Sequence, residues 1–495
     1  MKLANTPEIR LGVVGVSRDC FPVSLTRKRL AAVMRELKKF KVDAVASPVI
    51  IETETQAVAA CEDLIARGCN AAVAYLGNFG PEGPTTLFLE RFPGPRMVCA
   101  AAEENRKVLA GERGDALCGL LNCSYSIGLR RLAVHVPQAP VGLPREVARM
   151  IADFAAVARV VVGVRRLKIF GFGPRPQDFL ACNAPIQPLV DLGVGVMENS
   201  ELDLLVAFQD AASDRTAIAA IAGDMARELK GRCAWPDLLP RLAQYELALT
   251  TFFERHLGAA SFGVFANKCW PAFERAFGFV PCYINSRLAG RGIPVACEVD
   301  LYGALSEFML QCATLQPATL LDINNSVPGD LLRGAKLKGI AARDLFMGFH
   351  CGNTCSACMQ SCAMKYQLIM NRGLEGGAEP DITRGTLEGQ IRPGPATLFR
   401  LQGTADARLA AYLAEGEFLD IAPHSFGSIG VVGIRDFARF YRHVLIERRF
   451  PHHGGFGFAR AGRALFDAAR LLGVEDVHTP LPPDLRYPGE NPFGS

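Results

Sequence analysis

The sequence predicts an α/β protein, with two Rossmann-like doubly wound domains followed by a smaller β-rich C-terminal domain. Three observations predict it. Strand-like apolar runs alternate with amphipathic stretches from Leu11 onwards, the same alternation opens again at Arg166, and after about Gly339 the chain turns to Gly- and Pro-rich loops with short β-like pieces. The expected domains are 1–163, 164–339 and 340–495, in keeping with about three domains for 495 residues.

In the first domain, the apolar run Leu11 to Val16 leads through Ser17, Arg18, Asp19 and Cys20 into the amphipathic stretch Leu25 to Phe40. Strand-like Val42 to Ser47, a helix at Gln56 to Ala66, and strands at Asn70 to Leu76 and Arg96 to Ala100 continue the alternation, which a helix from Pro144 to about Ala158 closes. The second cycle has strands expected at Arg166 to Gly173, Asp203 to Phe208 and Phe262 to Lys268, with a helix near Arg215 to Lys230. In the last domain the β-like pieces are Ala396 to Gly403 and Ser428 to Ile434, before a helix near Ala461 to Leu472.

Composition narrows the function classes. The chain is 49% hydrophobic, 21% charged and 8% aromatic, which is ordinary for a soluble enzyme. Its 54 basic and 50 acidic residues are interspersed and leave a net charge of +4, arguing against nucleic acid as a partner. No apolar h-region precedes the first strand and no run of about 18 apolar residues follows, so neither export nor a membrane partner is expected. Sixteen scattered cysteines then favour reduced thiols in the cytoplasm, most of them small core residues. G-x-G-x-x-G and G-x-x-x-x-G-K-[ST] are both absent, which sets aside dinucleotide and P-loop readings.

The chemistry concentrates in Pro294 to Asn325, where two apolar runs end on carboxylates, Glu298 with Asp300 and then Asp322. Apolar surroundings raise the cost of an unpaired charge, so such acids bind a cation, exchange protons, or do both. Among eight histidines, His350 stands in a Gly-flanked loop and His452 and His453 form a doublet before two glycines. Carboxylates joined to imidazoles make an N/O donor set suited to Mn²⁺ or another divalent cation, more than to thiolate-bound zinc. Cys351, Cys355 and Cys358, with Cys362, have the C-x3-C-x2-C spacing of radical S-adenosylmethionine enzymes, but only 137 residues follow Cys358, too few for their barrel. A structural zinc site and thiols packed in a loop are the other readings of that cluster.

SRDCFP, LGNFGPE, GPRPQDF, the block KCWPAFERAFGFVPCYINSRLAGRGIPVACEVDLYGAL, HCGN and HHGGFGFARAG together resemble the L-fucose isomerase and L-arabinose isomerase family over nearly the whole length. The resemblance implies a Mn²⁺-dependent aldose–ketose isomerase acting on a monosaccharide and self-associating as a homohexamer or homotrimer. It assigns Glu298 and Asp322 as metal-binding acid/base carboxylates and His453 as the third metal ligand. It makes His350 the additional histidine ligand of the arabinose isomerase branch, counted here with the substrate-binding residues, and Arg18 an N-terminal arginine that reaches substrate. Trp270 is a sugar-stacking ring or a packing residue, and Asn78 and Glu82 bind hydroxyls or cap a loop. The cysteine-rich loop and the GFGFARAG stretch depart from the family pattern, which leaves the sugar open. A modified hexose such as sulfoquinovose, or a non-catalytic sugar-binding protein on the same fold, are the alternatives.

Overall fold

The computed structural model describes residues 3–111, 113–369 and 380–493. The chain forms two compact units, one of Pro7–Val162 with Phe466–Gly473, the other of Met1–Thr6, Gly163–Leu465 and Val474–Ser495.

The first unit is built on five parallel strands, β1 (Leu11–Val16), β2 (Ala44–Ile51), β3 (Ala71–Leu76), β4 (Arg96–Ala101) and β5 (Val141–Gly142), in the order β2-β1-β3-β4-β5. That is a doubly wound order with its switch point between β1 and β3. Every residue of β1 and β3 is buried, as the unbroken apolar runs require of strands covered on both faces. Helices Val23–Leu37, Glu54–Ala66 and Glu82–Arg91 connect them, the second opened by a capping box between Thr53 and Gln56.

The second unit holds a parallel sheet of β6 (Leu167–Phe172), β7 (Gly195–Asn199), β8 (Phe262–Ala266) and β9 (Val295–Ala296), in the order β7-β6-β8-β9. The strand expected at Asp203 to Phe208 is instead inside helix Glu201–Ala211, and the strand lies earlier, at β7. Ser200 and Asp203 close a capping box that starts the helix, and Leu204 and Phe208, one turn apart, share its buried face. An apolar run of five residues, Leu204 to Phe208, does not by itself distinguish the two periods.

The third sheet has nine strands: β10 (Ala318–Ser326), β11 (Leu345–His350), β12 (Met359–Tyr366), β13 (Arg384–Ile391), β14 (Gly394–Gly403), β15 (Leu409–Leu419), β16 (Ser428–Gly433), β17 (His453–Gly457) and β18 (Asp476–His478). β10, β11, β16, β15, β14 and β17 pair in a closed antiparallel ring, because β15 and β16 also bond to each other. Helix Leu301–Thr314, buried from Leu301 to Cys312, packs against β6 and β8 on one side and β10, β14 and β17 on the other. A Cβ on Gly455 of β17 would meet Leu310 of that helix at 2.9 Å, so the glycines after the histidine doublet permit this approach.

Candidate metal centre

Strand register makes the first pair. Asp322 and His453 lie directly opposite on β10 and β17, so their side chains are cross-strand neighbours on one face, with His453 Nε2 3.5 Å from Asp322 Oδ1. His350 ends β11, on the other side of β10. Glu298 comes from the short turn between β9 and helix Leu301–Thr314, where Glu298 and Val299 both take left-handed backbone angles, φ 53° and 55°. Consecutive non-glycine residues in that region hold local strain of the kind that clusters at functional sites. The turn delivers Glu298 Oε2 to 3.5 Å from His453 Nε2 and 3.6 Å from His350 Nε2.

Donor atoms of Asp322, His350 and His453 lie within 4.8 Å of one another, and so do those of Cys297, Glu298 and His350. Glu298 Oε2 and Asp322 Oδ1 are buried without a hydrogen-bond partner. Two orphaned carboxylate oxygens facing one imidazole nitrogen are the donor set a hard divalent cation takes, so the residues fit such an ion. Burial pushes the Glu298 carboxyl up, but His350, His453 and the Trp270 indole N–H outweigh it and hold the pKa at about 2. Burial pushes the neighbouring His452 down, with His453 acting in the same direction; its Nε2 is 3.6 Å from Asp322 Oδ1.

Behind His453 stands an ion pair that composition alone does not reveal. Asp300 Oδ2 lies 2.9 Å from His453 Nδ1, and Arg400 on β14 grips both Asp300 oxygens, one of them at 2.9 Å. Burial would raise the Asp300 pKa, but Arg400 and His453 hold it well below the ordinary carboxylate range. Asp300 also caps helix Leu301–Thr314 by accepting the Gly303 N–H at 2.8 Å. The available signal for Arg400 was an arginine inside the apolar strand run ATLFRLQG, since arginine is seldom fully buried unpaired. Phe179, also missed, sets its ring 5.5 Å from His452 and 6.1 Å from Trp270, forming with Trp270 an apolar wall beside the centre. A cavity of about 1010 Å³ opens next to it, lined among others by Ile323, Asn324, Arg343, Arg448, Arg449 and His452.

Arg18 and Asn78 belong to the other unit, after β1 and β3 at that sheet's switch point. The Arg18 main-chain N–H donates to Asn78 Oδ1 at 2.9 Å, Asn78 Nδ2 donates to Ser17 Oγ, and the Arg18 guanidinium covers the Phe79 ring at 4.7 Å. Glu82 is 4.0 Å from Arg18. The cysteine-rich loop does not gather into one donor group: among the described residues, no metal-capable cluster includes Cys351, Cys355, Cys358 or Cys362.

Residues 12–165 match a family profile described as the N-terminal domain of fucose/sulfoquinovose isomerase, and residues 348–478 one described as the C-terminal domain of L-fucose isomerase. The chain belongs to the fucose isomerase family. Arg18 and Asn78 fall in the first matched segment of this family and His350 and His453 in the second, whereas Glu298 and Asp322 lie between the two. Similar proteins include the sulfoquinovose isomerase of Priestia megaterium, 24% identical over 325 residues, which are 64% of this chain and 66% of that one. The sulfoquinovose isomerase of Alkalicoccus urumqiensis is 25% identical over 240 residues, 48% of each chain. That of a Clostridium species is 28% identical over 182 residues, 36% of each. The chain thus spans about half to two thirds of the length of the first two of these curated relatives.

Proposed function

We propose that the chain is a metal-dependent aldose–ketose isomerase that interconverts a sugar and its ketose by proton transfer between C1 and C2. The observation that carries this reading is the approach of one Glu298 and one Asp322 carboxylate oxygen, each to 3.5 Å from His453 Nε2 and each buried without a hydrogen-bond partner, in a member of the fucose isomerase family. Glu298, Asp322 and His453 would hold the ion, Mn²⁺ or another divalent cation. When bound, such a cation stabilises the negative charge that grows on the two reacting oxygens. One carboxylate takes the C2 proton and returns it at C1, while the other handles the hydroxyl proton. Phe179 and Trp270 offer an apolar surface to the C–H face of the sugar and exclude water.

A second reading concerns the sugar. The relatives' names and the arginines 343, 448 and 449 of the adjoining cavity support a hexose carrying an anionic group, such as sulfoquinovose, beside L-fucose and D-arabinose. Self-association as a homohexamer or homotrimer belongs to the same proposal. It is supported by Leu117, Leu121, Tyr125 and Leu129, which repeat every four residues along helix Ala116–Leu129 and are all exposed. So does a cytoplasmic location; among the described residues no helix is long and apolar enough to cross a membrane.

Metal-loaded protein incubated in deuterated water with L-fucose, D-arabinose and sulfoquinovose tests the reaction and the sugar together. Ketose carrying deuterium at C1 is expected from at least one of them. A fully metal-loaded protein that forms no ketose and exchanges no C–H proton overturns the reading.

A further inference from the structure

Two imidazoles turn their Nε2 atoms to the same carboxylate, and the hydrogen bonds at their far nitrogens have opposite polarity. His453 Nδ1 faces Asp300 Oδ2 at 2.9 Å, with the Cys182 thiol at 3.7 Å. Asp300 is occupied on its other sides by Arg400 and by the Gly303 N–H, both of which donate to it. An ionised carboxylate only accepts hydrogen bonds, so His453 carries its proton on Nδ1. In the neutral ring that binding a metal ion requires, Nε2 then presents its lone pair towards Glu298 and Asp322, each 3.5 Å away. At His350 the situation is reversed. The Cys351 main-chain N–H donates to His350 Nδ1 at 2.9 Å. A peptide N–H only donates, so Nδ1 supplies the lone pair and the ring proton sits on Nε2, facing Glu298 Oε2 at 3.6 Å.

We propose that Asp300 and the Cys351 amide hold the two histidines in opposite tautomers, making His453 a metal ligand and leaving the His350 Nε2–H turned to the centre as a donor for a sugar oxygen. The inference rests on the metal-assisted reading above and deepens it. Asp300 is a positioning residue, acting through His453, and Arg400 keeps it ionised in a buried setting. His350 departs from the role of an additional metal ligand that the arabinose isomerase resemblance implied. An N–H pointed at the centre cannot coordinate, and moving that proton to Nδ1 would set it against the Cys351 N–H.

The test is Mn²⁺ binding, read from the electron paramagnetic resonance of the free ion, with folding checked by circular dichroism. Asp300→Asn/Arg400→Met removes both charges of the buried pair together and turns an amide N–H towards His453 Nδ1, which favours the tautomer with Nε2 protonated. That variant and His453→Gln should each lose affinity by about tenfold or more, within the range for removing a group that orients a ligand. His350→Gln, which keeps an N–H near the Nε2 position, should stay within about threefold of the parent while its turnover falls. Loss of Mn²⁺ in His350→Gln equal to that in His453→Gln overturns the proposal, and so does parental affinity in Asp300→Asn/Arg400→Met. Parental affinity in both Glu298→Gln and Asp322→Asn would instead overturn the metal-assisted reading itself. The parent chain alone supplies an independent measurement. In ¹⁵N-histidine spectra with diamagnetic Cd²⁺, one imidazole should shift at Nε2 with Nδ1 still protonated, and two such imidazoles would overturn the assignment.

Discussion

Removing Asp300 exposes how much the centre depends on its buried support. In Asp300→Ala two losses add. Helix Leu301–Thr314 loses its cap, worth about 1 kcal/mol. Arg400, 1% exposed at its side chain, keeps a charge with no counter-charge in contact, which costs about 3 to 5 kcal/mol. Both partners are buried, so solvent screening does not reduce the second figure. The sum, about 4 to 6 kcal/mol, is a large part of an ordinary folding free energy. Arg400→Met should be similarly damaging, because it strands Asp300. The double variant, Asp300→Ala/Arg400→Met, should be far milder, losing the cap but stranding no charge. Urea unfolding followed by far-ultraviolet circular dichroism, on the parent and three variants, gives the coupling directly. An interaction energy of about 3 kcal/mol or more is expected. Single effects that add to the double within about 0.5 kcal/mol would refute the argument, since the two side chains would then be energetically independent.

Glu298→Gln removes one carboxylate of the proposed ion-binding set and should lower turnover by about 10²-fold or more together with metal content; full activity with metal bound would disprove its role. Chelation with EDTA should abolish ketose formation and added Mn²⁺ should restore it, with metal content following activity in both directions. Glu307, 1% exposed with Oε2 unpartnered, has its pKa pushed up to about 8 by burial. Between its ordinary value of 4.5 and about 8 the folded chain binds the proton and the unfolded chain does not, so this group's contribution to stability falls as pH rises through that window. At pH 7 the penalty is on the order of 3 kcal/mol, and Glu307→Gln should flatten the loss of melting temperature between pH 5 and 8. Leu121→Arg, in the exposed apolar row of helix Ala116–Leu129, should lower the mass seen by size-exclusion light scattering if that row joins subunits.

The alternation of strands and helices was legible because apolar runs such as Leu11 to Val16 and Ala71 to Leu76 are continuous and bounded by turns, and both form where expected. Asp203 to Phe208 was not, since a short apolar run fits either period and a capping box upstream decided it. Glu298, Asp322, His350 and His453 stood out because acids at the ends of apolar runs and histidines among glycines are chemically conspicuous wherever they fold. Their meeting is a matter of register. A one-residue slip between β10 and β17 would send Asp322 and His453 to opposite faces. Arg400 carried only a weak local signature, an arginine inside an apolar strand run, and Phe179 carried none. One is 100 residues from its carboxylate partner and the other is a ring in a loop. Residue types and their spacing along the chain thus determined the α/β layering and the candidate donors. Closure of the strand ring and the packing of helix Leu301–Thr314 between two sheets decided which donors share a centre, which nitrogen each histidine presents and what charge stands behind it. Those depend on contacts between residues far apart in sequence, whose geometry exists only once the chain has folded.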